Sequence, residues 1–450
     1  MTTTLADLAT TLQDVFTTQA DDAADASGFL RRTRKLTGAA FVQTLVFGWL
    51  HDPSASLEGL CDAARDLGVV LRPQSLDERL HDRAADCLRR VLASALGRLV
   101  EAAPAAAAVL HRFSGVYALD STSWALPAAL AGLFPGCGAG GKAAGSAQAA
   151  LKVTLRLEVR SGALDGLEPH PGRCSDHRTP LAWAPLPPGA LLLEDLGFFD
   201  LGRMQHYGAQ GVYFLSRLRA NVHVWQDGRR WELAALLRRH PGQRLDLEVE
   251  VGSTARLPCR LLAVPVPAAM AEQRRRRLKR QARCRPQGAK ADRVELCGWN
   301  VLITNAPATR IALEEAWALR RLRWQIELLF KVWKSEGRLD ETRGRRVWRV
   351  VCEAYAKLLA MVVQHWVSLV GGGNPLACSE RRAARVVRRA ALRLARALGS
   401  GARLLARLTQ LSADLKRRCK VQRRRRRPAA WQLVEDPSLD TYVWGDLALS

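Results

Sequence analysis

The fold of this chain is best predicted from one stretch, Trp317-Ala-Leu-Arg-Arg-Leu-Arg-Trp-Gln-Ile-Glu-Leu-Leu-Phe-Lys-Val-Trp-Lys334. At about 100° per residue, its apolar side chains share one helix face, while Glu327 lies among Arg320, Arg323 and Lys334 on the face beside it. The apolar positions are Leu319, Leu322, Ile326, Leu329, Phe330 and Trp333. Charges so placed usually pair on a solvated surface, but the rest of the chain favours a functional role for this carboxylate.

Composition points to a polyanionic partner. The chain has 450 residues, of which 48% are hydrophobic, so two to four globular domains are expected. Lys and Arg number 68 against 43 for Asp and Glu, which gives a net charge of +25. A charge excess of this size is typical of nucleic-acid-binding proteins. The alternative is an Arg-rich protein without such a partner.

Several classes of protein are disfavoured by the sequence. No uninterrupted apolar run reaches the roughly 18 residues needed to span a bilayer, and the first residues lack the features of a signal peptide. The ten cysteines include no CxxC pair, which argues against a disulfide framework and a structural zinc site. We therefore expect a cytoplasmic location and no membrane partner.

Residues 1–105 have the periodicity of helices. Ser56 is placed to cap a helix that runs to Asp66, and Ser75-Leu-Asp-Glu78 has the form of a capping box that opens a helix toward Leu99. Short helices preceded by Arg31-Arg-Thr-Arg-Lys35 are compatible with a small DNA-binding domain. A plain helical bundle is about as compatible.

Beyond residue 105 the pattern changes to strands, and two of them end in acids. Val116-Tyr-Ala-Leu-Asp120 and Ala190-Leu-Leu-Leu-Glu-Asp195 are apolar runs of this kind. Residues 216–298 are rich in strand patterns, and Trp299-Asn-Val-Leu-Ile-Thr304 is a further apolar strand. A basic amphipathic helix is predicted at 380–398, and Arg423 to Arg427 form a charge run that could contact phosphates.

Asp120, Asp195 and Glu327 together form the strongest candidate site. Acids at the carboxyl ends of strands can meet a helix-borne acid at one edge of a sheet. Three carboxylates without Cys or His suit Mg²⁺, with Mn²⁺ as a substitute. Two such ions can activate the attacking oxygen and stabilise the leaving oxygen in phosphodiester chemistry. Strand-end acids taken singly are more often caps, so the prediction rests on the set and on the net charge.

Two other motifs are weak. Gly136-Cys-Gly-Ala-Gly-Gly-Lys142 resembles a phosphate-binding loop, but Ala143 replaces the Ser or Thr that would hold magnesium, so a loop between strands is predicted. His170, Cys174, Asp176 and His177 have ligand-like side chains at short spacing. A polar loop is favoured there over a zinc site, because no second ligand pair lies nearby.

The last part of the opening stretch carries a family resemblance. Arg323, Glu327 and Lys334 match the last three letters of the Tyr-x2-Arg-x3-Glu-x6-Lys signature at its spacing. On these residues the chain resembles bacterial insertion-sequence transposases of the DDE class, in the insertion-sequence-four-like group. Leu119-Asp-Ser-Thr122, Glu194-Asp-Leu-Gly-Phe-Phe199 and the strand at Trp299 are also similar to the family. The Tyr position is Arg320, a departure from the signature.

The resemblance implies a ribonuclease-H-like α/β core interrupted by a β-rich insertion. Its specific motifs cover about residues 110–360. Together with the residue patterns, it predicts a helical DNA-binding domain at 1–105, the two parts of the core at 106–215 and 299–370, the insertion at 216–298, and a basic helical region for DNA contact or dimerisation at 371–450. It further implies two Mg²⁺ ions on Asp120, Asp195 and Glu327, and a homodimer acting on double-stranded DNA at transposon ends and target. The protein would be bacterial and associated with the nucleoid.

Basic and aromatic side chains near Glu327 are the predicted DNA contacts. Arg320, Arg323, Lys331 and Lys334 would hold phosphates, and the resemblance gives Trp299 and Trp324 a base-stacking role. For Trp299, packing beneath the sheet is an equal alternative. Two rival functions stay open, namely a host nuclease or resolvase of the same fold and a catalytically decayed DNA-binding inhibitor of transposition.

Overall fold

The computed structural model describes residues 2–30, 36–138, 147–254, 256–282, 291–424 and 428–439. The chain divides into two compact units. We call Met1–Ala105, Ser121–Cys174 and Ile326–Gln422 the helical unit, and Ala106–Asp120, Ser175–Gln325 and Arg423–Ser450 the sheet unit. The five domains predicted from the sequence divide the chain by role, and their boundaries stay predictions.

The described residues form seventeen α-helices. In chain order they are α1 (Leu5–Phe16), α2 (Thr18–Ala26), α3 (Gly38–His51), α4 (Leu57–Asp66), α5 (Pro73–Arg79), α6 (Asp82–Leu96), α7 (Pro180–Trp183), α8 (Leu201–Ala209), α9 (Leu233–Arg238), α10 (Ala268–Ala282), α11 (Ala291–Leu296), α12 (Leu313–Leu322), α13 (Trp324–Ser335), α14 (Val347–Gly372), α15 (Glu380–Ala397), α16 (Gly401–Arg418) and α17 (Ala430–Glu435).

Ten strands are found in the same part of the chain. They are β1 (Val116–Leu126), β2 (Ala149–Glu158), β3 (Leu164–Pro171), β4 (Leu191–Leu193), β5 (Tyr213–Arg217), β6 (Val224–Gln226), β7 (Arg229–Trp231), β8 (Leu245–Val251), β9 (Leu257–Pro265) and β10 (Trp299–Thr304). They make one mixed sheet in the order β3-β2-β1-β4-β5-β10-β9-β8-β6-β7, in which β1, β4 and β5 run parallel. The predicted α/β class with helical regions at either end is confirmed.

Helix α14 is the centre of the helical unit. It is apolar on nearly all sides and packs against α1, α3, α6, α15 and α16. Its length and composition would allow it to cross a membrane, although charged residues interrupt its apolar sequence. Since 94% of its most apolar window is buried within the protein, α14 is the core helix that such a composition predicts.

One of the two predicted helix starts in the N-terminal region is correct. The Ser56 hydroxyl accepts the N–H of Gly59 at 3.2 Å and caps α4. The capping box at Ser75 is wrong, because α5 begins earlier, at Pro73, and ends at Arg79 before α6 begins. A proline presets the backbone for the first helical turn, so Ser75 lies inside the helix, where its carbonyl accepts from Arg79 at 2.6 Å.

The helix predicted over residues 317–334 is two helices. Helix α12 ends at Leu322 and α13 begins at Trp324. At the break, the N–H of Arg323 donates to the carbonyl of Arg320 at 3.2 Å, a bond to the third residue back instead of the fourth. The apolar periodicity continues through such a tight turn, so it could not show the break.

The predicted insertion, residues 216–298, contains four strands and three short or basic helices. Strands β8 and β9 pair along seven residues, β6 and β7 form a hairpin, and the basic stretch at 274–280 lies on α10. Of the glycine-rich motif, Gly136 and Gly138 lie in a loop between β1 and β2, while Lys142 lies outside the described residues. Arg31 to Lys35 and Arg425 to Arg427 also lie outside the described residues.

Candidate active site

Asp120 and Asp195 lie at the same level on neighbouring parallel strands. The register pairs Val116 with Leu191 and Ala118 with Leu193. Each aspartate follows its last paired residue by two positions, so both lie just beyond the segment in which β1 and β4 pair. Asp195 follows the end of β4, but β1 continues to Leu126, so Asp120 lies within its strand and not at its end as predicted. Adjacent strands are about 4.8 Å apart, which is the spacing at which two carboxylates can share a cation. The predicted convergence of these two acids is what this register produces.

The carboxylate of Asp120 forms an ion pair with an arginine of the same chain. Arg323 Nη1 donates to Asp120 Oδ2 at 3.3 Å, and the side chains are only 8% and 20% exposed. Arg323 therefore points at the aspartate and not outward. The sequence predicted that it would hold a DNA phosphate, whereas the structure shows it holding the candidate metal ligand. An Asp–Arg pair of this kind orients the carboxylate.

The segment that carries Asp195 is held by a buried ion pair. Its neighbour Glu194 contacts Arg203 of α8, and both side chains are almost completely enclosed. Arg203 also donates to the carbonyls of Ala182 at 3.1 Å and Phe198 at 2.7 Å. Burial raises the pKa of the Glu194 carboxyl, and the Arg203 guanidinium opposes that rise. The turn after β4 is thereby fixed from the inside.

Arg203 is the residue of this region that the sequence prediction missed. The only signal was its position on α8, where it shares a buried face with Met204 and Tyr207. An arginine on the apolar face of a helix needs buried acceptors. Glu194, the acidic residue next to Asp195, is the buried partner that this argument could have predicted for Arg203.

Glu327 lies in the first turn of α13, four residues after Arg323, and its side chain is half-buried. The apolar face predicted for this helix is correct, because Ile326, Leu329, Phe330 and Trp333 are buried. Among the described residues no group of three or more His, Cys, Asp or Glu side chains is gathered to hold a metal ion. Glu327 as third ligand therefore stays a prediction.

The two predicted lysines differ in their surroundings. Lys331 is exposed, as a phosphate contact requires. Lys334 is half-buried, donates to the carbonyl of Ser123 at 2.9 Å and lies 5.9 Å from the ring centroid of Trp124. Burial lowers the pKa of Lys334, and Asp340 partly opposes this. Lys334 thus ties α13 to the second half of β1, a role that spacing alone did not reveal.

The two predicted stacking tryptophans are also placed differently. Trp299 is 8% exposed and belongs to the apolar cluster of the sheet unit, together with Ile303 and Leu261. Packing accounts for it, and a base could not reach its ring in this arrangement. Trp324 opens α13 with 56% of its surface exposed. Arg320, at the signature's Tyr position, is half-buried.

The residues of the weak zinc candidate make separate polar contacts. The candidate consists of His170, Cys174, Asp176 and His177. His170 Nε2 lies 2.7 Å from the hydroxyl of Thr154, and Lys152 donates to the carbonyl of Cys174 at 2.6 Å. His170 is on β3 and its hydrogen bond crosses to β2. The predicted polar loop is therefore wrong for His170, which lies on a strand.

Comparison with known proteins identifies the family. Residues 111–363, more than half of the chain, match the model of the transposase DDE domain. The chain belongs to the DDE transposase family. The matched range contains Asp120, Asp195 and Glu327, together with the strands and helices that carry them.

Similarity to insertion-sequence transposases over up to about three quarters of the chain agrees with this. The transposase for insertion sequence element IS231F of Bacillus thuringiensis subsp. israelensis is 26% identical over 74% of this chain and 73% of its own length. The transposase for IS1151 of Clostridium perfringens is 23% identical over 75% of each. The putative transposase InsL for IS186A of Escherichia coli (strain K12) is 31% identical over 30% of this chain and 38% of its own.

Proposed function

We propose that this chain is the transposase of an insertion sequence, and that it cuts double-stranded DNA at the ends of the element and joins the freed 3′-hydroxyls to target DNA. The observation that carries the proposal is the register of β1 and β4, which brings Asp120 and Asp195 to one level just beyond the paired segment of the two strands. The parallel β1-β4-β5 arrangement is what a ribonuclease-H-like core would supply.

Asp120, Asp195 and Glu327 are the residues we assign to a pair of Mg²⁺ ions. The donor set fits hard divalent cations, because it consists of oxygen ligands without thiolate or imidazole. When bound, such ions would activate the attacking oxygen and stabilise the leaving one. The other members of the site act on the ligands and on DNA: Arg323 holds the Asp120 carboxylate, and the Glu194–Arg203 pair fixes the turn at Asp195.

DNA would be held by basic side chains and by the exposed indole ring of Trp324. Lys331 is free to reach a backbone phosphate, and Arg320 stands where the Tyr-Arg-Glu-Lys signature has Tyr, so that a guanidinium replaces a hydroxyl in the same task. Trp324 has the exposure that stacking on a base requires. Assignment to the insertion-sequence-four-like group and action as a homodimer on paired ends complete the proposal.

A strand-transfer assay tests the proposed function. The full-length protein would be incubated with Mg²⁺, a labelled duplex ending in the short inverted repeats that flank its gene, and a circular target. Joined product is expected. Cleavage without joining would show the rival nuclease or resolvase, and binding without cleavage would show a decayed inhibitor.

A further inference from the structure

The outer face of helix α15 carries a dense row of arginines. The helix has seven arginines and one glutamate in eighteen residues, and its other face, built of alanine, valine and leucine, packs on α3, α14 and α16. The arginines are Arg381, Arg382, Arg385, Arg388, Arg389, Arg393 and Arg396. Arg396 pairs with Asp66, and Arg382 donates to the carbonyl of Lys420 at 2.9 Å, so these two arginines contribute to the fold.

Three of these arginines converge on one buried carboxylate, Glu336, which is 7% exposed. Arg381 Nε lies 2.8 Å from Glu336 Oε1, and Arg385 contacts both carboxylate oxygens at 2.9 to 3.1 Å. Arg388 Nη1 lies 3.8 Å from Oε2. We call these four residues the Glu336 cluster. It contains three positive charges and one negative charge.

Glu336 holds three arginine side chains at the surface, and its single negative charge does not neutralise their three positive charges. The carboxylate is enclosed, whereas the three arginine side chains stay 37% to 65% exposed. A cluster that served only to attach α15 would need one arginine. Held guanidinium groups lose less conformational entropy when they bind a ligand, and their planar donors match phosphate oxygens. The surplus charge therefore suits a polyanion.

Helix α13 fixes the position of Glu336. Glu336 follows directly after α13, and its N–H continues the helix ladder by donating to the carbonyl of Val332 at 2.8 Å. It lies nine residues beyond Glu327, which places it about 14 Å along the helix axis and on the opposite face of the helix. Exposed Lys331 lies between the two.

We propose that the Glu336 cluster, Arg381, Arg385 and Arg388 held by Glu336, binds the sugar-phosphate backbone of duplex DNA. The inference rests on the proposed function and gives the basic C-terminal region a defined contact. The contact is with phosphates and carries no base information, so it acts equally on element and target DNA.

The test uses a double variant, Arg381→Gln with Arg388→Gln, which removes two charges but leaves Arg385 on Glu336. The matched control is Arg417→Gln with Arg418→Gln, because these arginines also share one carboxylate, Asp414, but that acid is 34% exposed and does not fix them. Both variants lose the same charge. Thermal unfolding of both is expected to match the unchanged protein.

Binding would be measured with two unrelated duplexes of about 30 base pairs, over salt from about 50 to 200 mM. For the cluster variant, the slope of log affinity against log salt should become less steep by about 2, equally on both duplexes, since each lost phosphate contact removes about 1. The control should keep its slope.

Equal slope changes in both double variants would overturn the inference, because a general positive field would then suffice. An unchanged slope with an altered oligomeric state would also overturn it, in favour of a protein contact. A slope near zero in the unchanged protein would remove DNA binding, and with it the proposed function.

Discussion

Arg203 is the buried residue whose substitution should destabilise the sheet unit most. It is fully enclosed with Glu194, and it satisfies two backbone carbonyls in the turn after Asp195. We expect Arg203→Met to lower the free energy of unfolding by about 3–5 kcal/mol, because it leaves a buried carboxylate without its partner.

The double variant Arg203→Met with Glu194→Leu should recover much of that loss, since it removes the uncompensated charge as well. Denaturant unfolding measures the free energy of unfolding of the single and the double variant. If the double variant regains stability but cleaves poorly, the ion pair positions Asp195. Equal stability of Arg203→Met and the unchanged protein would contradict the assigned role.

His365 gives a second residue-scale prediction, on pH. It lies in the core on α14, with Nε2 2.7 Å from the carbonyl of Gly162, and burial lowers its pKa to about 4. The neutral form is thus favoured in the folded state, while the unfolded chain takes up a proton near pH 6.5. Stability from this group is complete above pH 6.5 and is lost as the pH falls toward 4.

The loss should amount to about 3 kcal/mol between pH 6.5 and pH 4, at roughly 1.4 kcal/mol per pH unit. His365→Gln removes the titrating group, so its stability should fall less steeply over that interval. Chemical unfolding at a series of pH values gives the comparison. Parallel curves for the two proteins would show that His365 is not the group responsible.

At the scale of elements, β10 and α13 each begin with a tryptophan, and the two should behave differently. Trp299→Ala should cost about 3–5 kcal/mol of stability and slow every reaction step together, because it opens a cavity in the apolar cluster. Trp324→Ala should leave stability within about 0.5 kcal/mol, since the ring is exposed.

A time course of nicking and later steps, with thermal unfolding in parallel, separates the two tryptophans. Loss of a late step alone in Trp324→Ala would support its stacking on a displaced base. If Trp299→Ala is as stable as the unchanged protein and loses only a late step, the packing assignment is wrong.

The elements also show what the sequence could predict. Strands β4 and β10 were predictable because short apolar runs bounded by acids or turns have one common solution in an α/β protein. The break at Arg323 was not, because the apolar face of α12 continues in α13. The start of α5 was missed because a proline two residues upstream of Ser75 supplied a better first position.

The candidate site was predictable to the same extent. An acid that follows an apolar run gives Asp195 after β4 and marks Asp120 on β1, but the apolar run could not show that β1 continues past Asp120 to Leu126. The roles of Arg323 and Lys334 could not be derived from spacing, because a cation on a helix face can point at a phosphate or at the chain itself. Only coordinates show that Arg323 binds Asp120 and that Lys334 binds Ser123.

For the whole molecule, net charge and fold point to the same substrate. A chain with +25 charge and paired aspartates at a sheet edge belongs to a family of DNA-cutting enzymes. The central claim is that Asp120, Asp195 and Glu327 perform the chemistry. Substitution of a metal ligand by its amide should remove cleavage but leave phosphate contacts and DNA binding nearly unchanged.

The most direct measurement is Mg²⁺-dependent cleavage of a labelled element end by Asp195→Asn and Glu327→Gln, with DNA binding measured in parallel. Asp200→Asn is the matched control, because Asp200 caps α8 and asparagine caps a helix equally well. We expect cleavage to fall by at least about a thousandfold in the first two variants, with binding intact, and to persist in the control. Cleavage near the unchanged rate by Asp195→Asn would contradict the account.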